Sequence, residues 1–146
     1  MAIMIKYLTI ILLFIGVVSC GESEDTATIQ HEKYYIEFVD SGKILDDKKC
    51  SYGGGHNEIT FSIGKKAKIS VLDLYTELKE NEVSSRVGHS YPAVVTYDDQ
   101  TLEGELRIDN VEKEPEDKYG QKHLVSGIIT DKDGKEIKFA VSLYNL

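Results

Sequence analysis

Two thiols, four imidazoles and a few grouped carboxylates are the side chains in this 146-residue sequence that could do chemistry. Cys20 closes Val17-Val18-Ser19-Cys20, after an apolar run and just before the polar Gly21-Glu22-Ser23-Glu24-Asp25. As a thiolate, a cysteine in that position is a nucleophile that can be converted to a thioether. Cys50 is the other thiol. If Cys20 is modified, Cys50 has no partner in the chain. It can then be a buried thiol acting as a small hydrophobe, half of an intermolecular disulfide, or a reactive site.

The other motifs fall short of a catalytic or metal constellation. Gly53-Gly54-Gly55-His56 is glycine-rich, but a phosphate loop needs G-x-x-x-x-G-K followed by Ser or Thr and leading into a helix. Here the glycines lead into a strand pattern. Gly88-His89-Ser90-Tyr91-Pro92 has Pro where a nucleophile elbow needs its last Gly, and a strand pattern follows. His31, His56, His89 and His123 have no ligand-like spacing, whereas zinc needs three or four convergent donors. Asp131-x-Asp133-Gly134 is a fragment of a calcium loop without the distal Glu, so it reads as a turn. Glu103, Glu105 and Asp109 alternate with Arg107, as on the solvated face of a strand. These readings predict no catalytic residue, no metal and no cofactor.

Cys20 is positioned by the segment before it. Lys6 supplies a positive charge, residues 7–18 are almost all apolar, and Ser19 is small. That is the layout of an export signal. A spanning helix needs about 20 apolar residues, so the run is too short for one. Val17-Val18-Ser19-Cys20 resembles the lipobox of bacterial lipoproteins, with an aliphatic residue at −3, a small one at −1 and Cys at +1. The resemblance covers only the first 20 residues. It implies a diacylglyceryl thioether on Cys20, cleavage after Ser19 and acylation of the new amine. Two or more acyl chains, at about 0.8 kcal/mol per buried methylene, hold a protein stably on a membrane. The acidic Glu22, Glu24 and Asp25 resemble the stretch behind the acylated Cys in surface-exported lipoproteins of Bacteroidetes-type bacteria, and equally fit a solvated linker. Gly21 is not the Asp that marks inner-membrane retention in enteric-type systems, which favours the outer membrane.

Residues 20–32 read as a flexible tether, and residues 33–146 as a single domain. The chain carries 17 Lys and Arg against 25 Asp and Glu, a net charge of −8, and loss of Lys6 with the leader makes the remainder more acidic. Such a chain lacks the electrostatic footprint of a nucleic-acid binder and the basic patch that would hold it on anionic headgroups. Contact with the membrane is therefore expected through the lipid.

Hydrophobic periodicity in the domain points to a mainly β fold, with α+β as the variant. The expectation is an antiparallel meander of about 7–8 strands, closed as a small sandwich or barrel. Tyr34, Ile36 and Phe38 alternate with polar neighbours. Ile59, Phe61, Ile63 and then Ala67, Ile69, Val71 flank Gly64-Lys65 as a hairpin. Four more strands follow Pro92. The period changes at Leu72, Tyr75 and Leu78, which predicts one short helix near 71–81 with Ser70 as its N-cap. Residues 51–57 read as a flexible loop.

The expected function is a non-catalytic binding module of the cell envelope, with an envelope protein as partner. Its candidate contacts lie in the glycine-rich 51–57 loop (Gly53, Gly54, Gly55, His56), the 84–91 loop (Gly88, His89, Tyr91) and the charged 112–120 loop, because loops on a rigid sheet commonly carry recognition. One alternative is a β-barrel carrier of a small ligand. Another rests on Gly88 and Tyr91, which are faintly similar to the Ser-Gly-x-x-Tyr loop of membrane-bound lysozyme inhibitors. That resemblance implies a loop entering a lysozyme cleft, although Val87 replaces the Ser. A hydrolase using His56, Ser90 or Cys50 is the third alternative.

Overall fold

Alternating apolar residues build nine strands among the described residues of the computed structural model, which are 30–55 and 57–144. Cys20, its lipobox, residues 20–29 of the tether and His56 lie outside them. The strands are β1 (Tyr34–Phe38), β2 (Ile44–Asp47), β3 (Cys50–Gly55), β4 (Glu58–Ile63), β5 (Ala67–Leu72), β6 (Ser90–Tyr97), β7 (Gln100–Lys113), β8 (Lys122–Asp131) and β9 (Glu136–Tyr144). A helix α1 (Leu74–Leu78) and a 3-10 turn (Val83–Arg86) lie between β5 and β6. The sheet order is β2-β1-β9-β8-β7-β6-β5-β4-β3, with every pair antiparallel. The last strand returns to pair with the first, and the sheet curls into a nearly closed barrel.

Strand periodicity decides which side chains fill it. Ile59, Phe61 and Ile63 sit opposite Val71, Ile69 and Ala67 across the β4–β5 hairpin, and all six are buried. Ile36, Val95, Leu106, Ile108, Ile129, Ile137, Phe139 and Leu143 join them in one cluster. Burying each large side chain of this kind stabilises the fold by about 1.5–3 kcal/mol. Asp98 and Asp99, both with positive φ, form the two-residue turn that pairs Tyr97 with Gln100. That turn matches the twist of the strands it joins. At the β8–β9 turn, Asp131 Oδ1 accepts from the N–H groups of Asp133 and Lys135 at 2.9 Å. The calcium-like fragment is therefore an Asx turn.

Three local features differ from the sequence reading. The helix is confined to Leu74–Leu78, because Val71 and Leu72 continue the ladder with Ile59 and Glu58. Ser70, the expected N-cap, instead shares a 3.0 Å hydrogen bond with Thr60 across that ladder. Residues 51–55, expected in a loop, join Cys50 in β3 against β4. Together with the four-residue β2, they raise the strand count above the expected 7–8.

Candidate functional site: the barrel seam

The ends of the sheet are β2 and β3, which are adjacent in sequence and joined only by Lys48 and Lys49. They do not pair, so the barrel has a seam. Asp47 Oδ1 accepts from Lys49 N–H at 2.9 Å and turns the chain. Gly64 N–H then donates to Lys49 O at 3.0 Å and seats the start of β3 on the β4–β5 turn. Antiparallel pairing alternates from this bond. Ser51, Gly53 and Gly55 therefore point their backbone groups at β4. Cys50, Tyr52 and Gly54 point theirs at the seam.

Side chains close the narrow end of the seam. Ser142 N–H, on β9, donates to Cys50 Sγ at 3.4 Å. Ser142 Oγ donates to Glu114 Oε1 at 2.8 Å, and Tyr34 OH donates to Glu114 Oε2 at 2.9 Å. Lys33 Nζ completes the set at 2.6 Å from Glu114. Glu114 is buried. Burial pushes its carboxyl up, but hydrogen bonds from Lys33, Ser142 and Tyr34 outweigh it, and the group rests below the usual carboxylate range. Burial pushes the Cys50 thiol up to about 11. Cys50 is thus a protonated thiol at neutral pH and a poor nucleophile.

Two open grooves run along the seam and meet at Cys50, Ser51 and Lys122. The first, about 530 Å³, has Tyr52, Gly53, Gly54, Tyr119 and Tyr144 on its walls. The Tyr144 ring lies 6.3 Å from that of Tyr52 and 6.1 Å from that of Tyr119. Tyr144 OH donates to Asp117 at 2.5 Å, which pushes its hydroxyl up to about 12 and fixes the ring. Tyr119 is 71% exposed. The second groove, about 520 Å³, is lined by Lys48, Lys49, Lys65 and Lys122. Among the described residues, neither groove has a carboxylate in its lining. Among the described residues these four lysines have no carboxylate within 4.0 Å, unlike Lys33, Lys43 and Lys66. An acidic chain thus gathers unpaired positive charge beside three tyrosines. That arrangement can hold a negatively charged ligand with flat or extended surfaces.

The residues expected to make contacts divide into two sets. Gly53, Gly54 and Gly55 are exposed on β3 at the seam, while His56 lies outside the described residues. Gly54 has its inner face covered by Tyr75 of α1, whose ring would lie 3.2 Å from an added Cβ. Gly88 and His89 are exposed, and the loop is tied to β7 through Gly88 N–H to Ile108 O and Ile108 N–H to His89 O. Tyr91 is buried, and its hydroxyl donates to Glu77 Oε1 at 2.7 Å. Arg86 reaches the same oxygen at 2.6 Å. Tyr91 therefore holds α1 and the 3-10 turn on the barrel, so the tyrosine that a lysozyme-inhibitor-like loop would present faces the core.

Tyr52 and Tyr119 fall in the 51–57 and 112–120 loops that the sequence offered as contacts, whereas Lys48, Lys49, Lys65, Lys122 and Tyr144 were missed, because they converge only through barrel closure. His123, one of the four histidines without ligand spacing, lies on β8. It is buried, its Nδ1 has no hydrogen-bond partner, and burial together with nearby Lys113 lowers its pKa. Among the described residues, no three His, Cys, Asp or Glu side chains gather in a metal-holding group. No known family model, curated protein or solved structure matches the chain.

Proposed function

We propose that this chain is a lipid-anchored lipoprotein of the bacterial envelope, and that its barrel is a non-catalytic binding module working through the seam. The anchor is the thioether at Cys20, most consistent with the outer membrane. What carries the binding reading is the set of four lysines, without a carboxylate partner among the described residues, and three tyrosines along one open seam, on a chain of net charge −8. Like charges held together without partners raise the electrostatic free energy of the fold, and an anionic ligand relieves it.

Reversing the seam charge tests this. The chain carrying Lys48→Glu, Lys49→Glu, Lys65→Glu and Lys122→Glu is compared with the natural chain after crosslinking on intact cells. The natural chain should yield a reproducible adduct that the reversed chain loses. Equal recovery of the same adduct from both would remove the seam from the function. For the anchor, Cys20→Ala should release the folded domain from membranes. Full membrane retention of that variant would contradict the lipoprotein reading.

A further inference from the structure

The open edge of β3 says more about the ligand. Among the described residues β3 pairs only with β4, so the N–H and C=O groups of Tyr52 and Gly54 enter no ladder. An edge of this kind is a template for another strand, and proteins commonly protect it with a bulge, a proline or a charged side chain. Here Gly53, Gly54 and Gly55 carry none of these. The edge is narrow at Cys50, where Ser142 N–H meets Sγ at 3.4 Å, and the tyrosine groove lies alongside Gly53 and Gly54. Lys122 stands where the two grooves meet, and Lys48, Lys49 and Lys65 lie beyond Cys50.

We infer that the seam takes an extended acidic peptide segment of a protein partner, added as a strand on the β3 edge. This rests on the seam being the binding surface proposed above. Main-chain bonds to Tyr52 and Gly54 would supply register, and Tyr52, Tyr119 and Tyr144 would receive alternate side chains. Carboxylates at one end of the segment would meet the lysines. Beyond the closed point at Cys50, residues 51–55 of β3 span about 17 Å at about 3.3 Å per residue, so the segment is short. The same lysines oppose pairing with a second copy of this edge, since like charges across an interface are unfavourable. An anionic polysaccharide could use the lysines and tyrosines, but would leave the row of strand-directed backbone groups unused.

The test is selection of a displayed library of random short peptides on the full-length chain in detergent micelles. Enriched sequences should be acidic with strand-like alternation. A synthetic copy of the enriched peptide should bind at least about tenfold more weakly to Lys49→Glu/Lys122→Glu, which is about 1.4 kcal/mol. Its backbone N-methylated form, with the same side chains, should also lose binding. Gly53→Glu, which points into open space, should weaken it as well.

Enrichment without acidic bias, or full affinity of the N-methylated peptide, would overturn strand addition. Binding of polygalacturonate, with no peptide enriched, would overturn the peptide while leaving the seam as a binding surface. Absence of both would remove that reading too. Two further outcomes also overturn a foreign partner. One is enrichment only after Glu22→Gln, Glu24→Gln and Asp25→Asn, which would assign the seam to the chain's own acidic stretch. The other is a dimer lost in Lys49→Glu/Lys122→Glu, which would assign it to a second copy.

Discussion

Ser142 N–H donates to Cys50 Sγ at 3.4 Å across the seam, between two strands that share no backbone ladder. A thiol stands where a carbonyl would stand in a closed sheet. The barrel is thus fastened there by side chains, while the glycines further along β3 leave its edge open.

The first prediction concerns that thiol. Its pKa is raised from 9.0 to about 11, which lowers the thiolate fraction near neutral pH by about a hundredfold. Alkylation of Cys50 by iodoacetamide in the folded protein should therefore be slower than that of a simple thiol by about that factor, and should become fast on denaturation. The raised value also favours folding below the ordinary thiol pKa, and that contribution is lost as pH rises through about 11. Rapid alkylation of the native protein, followed by mass spectrometry, would contradict the seam geometry.

Glu114 is the second. Its replacement by Ala leaves the Tyr34 and Ser142 hydroxyls without their acceptor and removes the partner of Lys33. The expected cost in urea unfolding is about 2–4 kcal/mol. The pH dependence has a defined sign. The folded-state pKa is depressed below 4.5, so the contribution is complete above that value and is lost as pH falls through the folded value. Glu114→Gln should flatten the acid limb of the stability profile. An unchanged acid limb would show that the carboxylate is not held as described.

Two glycines in strands give opposite expectations. Gly127 sits beside the bulge at Asp109, and an added Cβ would lie 1.9 Å from Arg107 O. That is backbone, which cannot move aside without breaking the ladder. Gly127→Ala should cost about 2–4 kcal/mol. Gly53 meets nothing within 4 Å, so Gly53→Ala should fall within about 0.5 kcal/mol of the natural chain, or slightly above it. Thermal unfolding of both variants checks the pair, and equal losses would contradict the register.

Most of the barrel was legible from period alone. Strands β4 to β7 and β9 carry alternation, the turns at Gly64, Asp98 and Asp131 mark joints, and β8, which has no clean period, was placed between its neighbouring turns. β2 and β3 were not legible, because Asp46, Asp47 and three consecutive glycines carry no apolar period. Only pairing to a neighbour makes them strands. The helix was read too long because Val71 and Leu72 satisfy both a helical and a strand period, and the ladder to β4 outcompetes a short helix. Of the site, Gly53 and Gly54 were legible as unusual sequence. Tyr52 and Tyr119 lay in the 51–57 and 112–120 segments read as contact loops, but the lysines and Tyr144 were not legible, because Lys49, Lys122 and Tyr144 are far apart in the chain and meet only when β9 returns to β1.

The most direct test of the seam as the binding surface is site-specific photo-crosslinking in living cells. A photoreactive side chain is placed at Gly53, in open space at the seam, and in a second strain at Thr101, exposed on β7 in the middle of the sheet order. The account predicts a discrete crosslinked species from position 53 and none from position 101. A species from position 101 alone, or identical species from both, would contradict it.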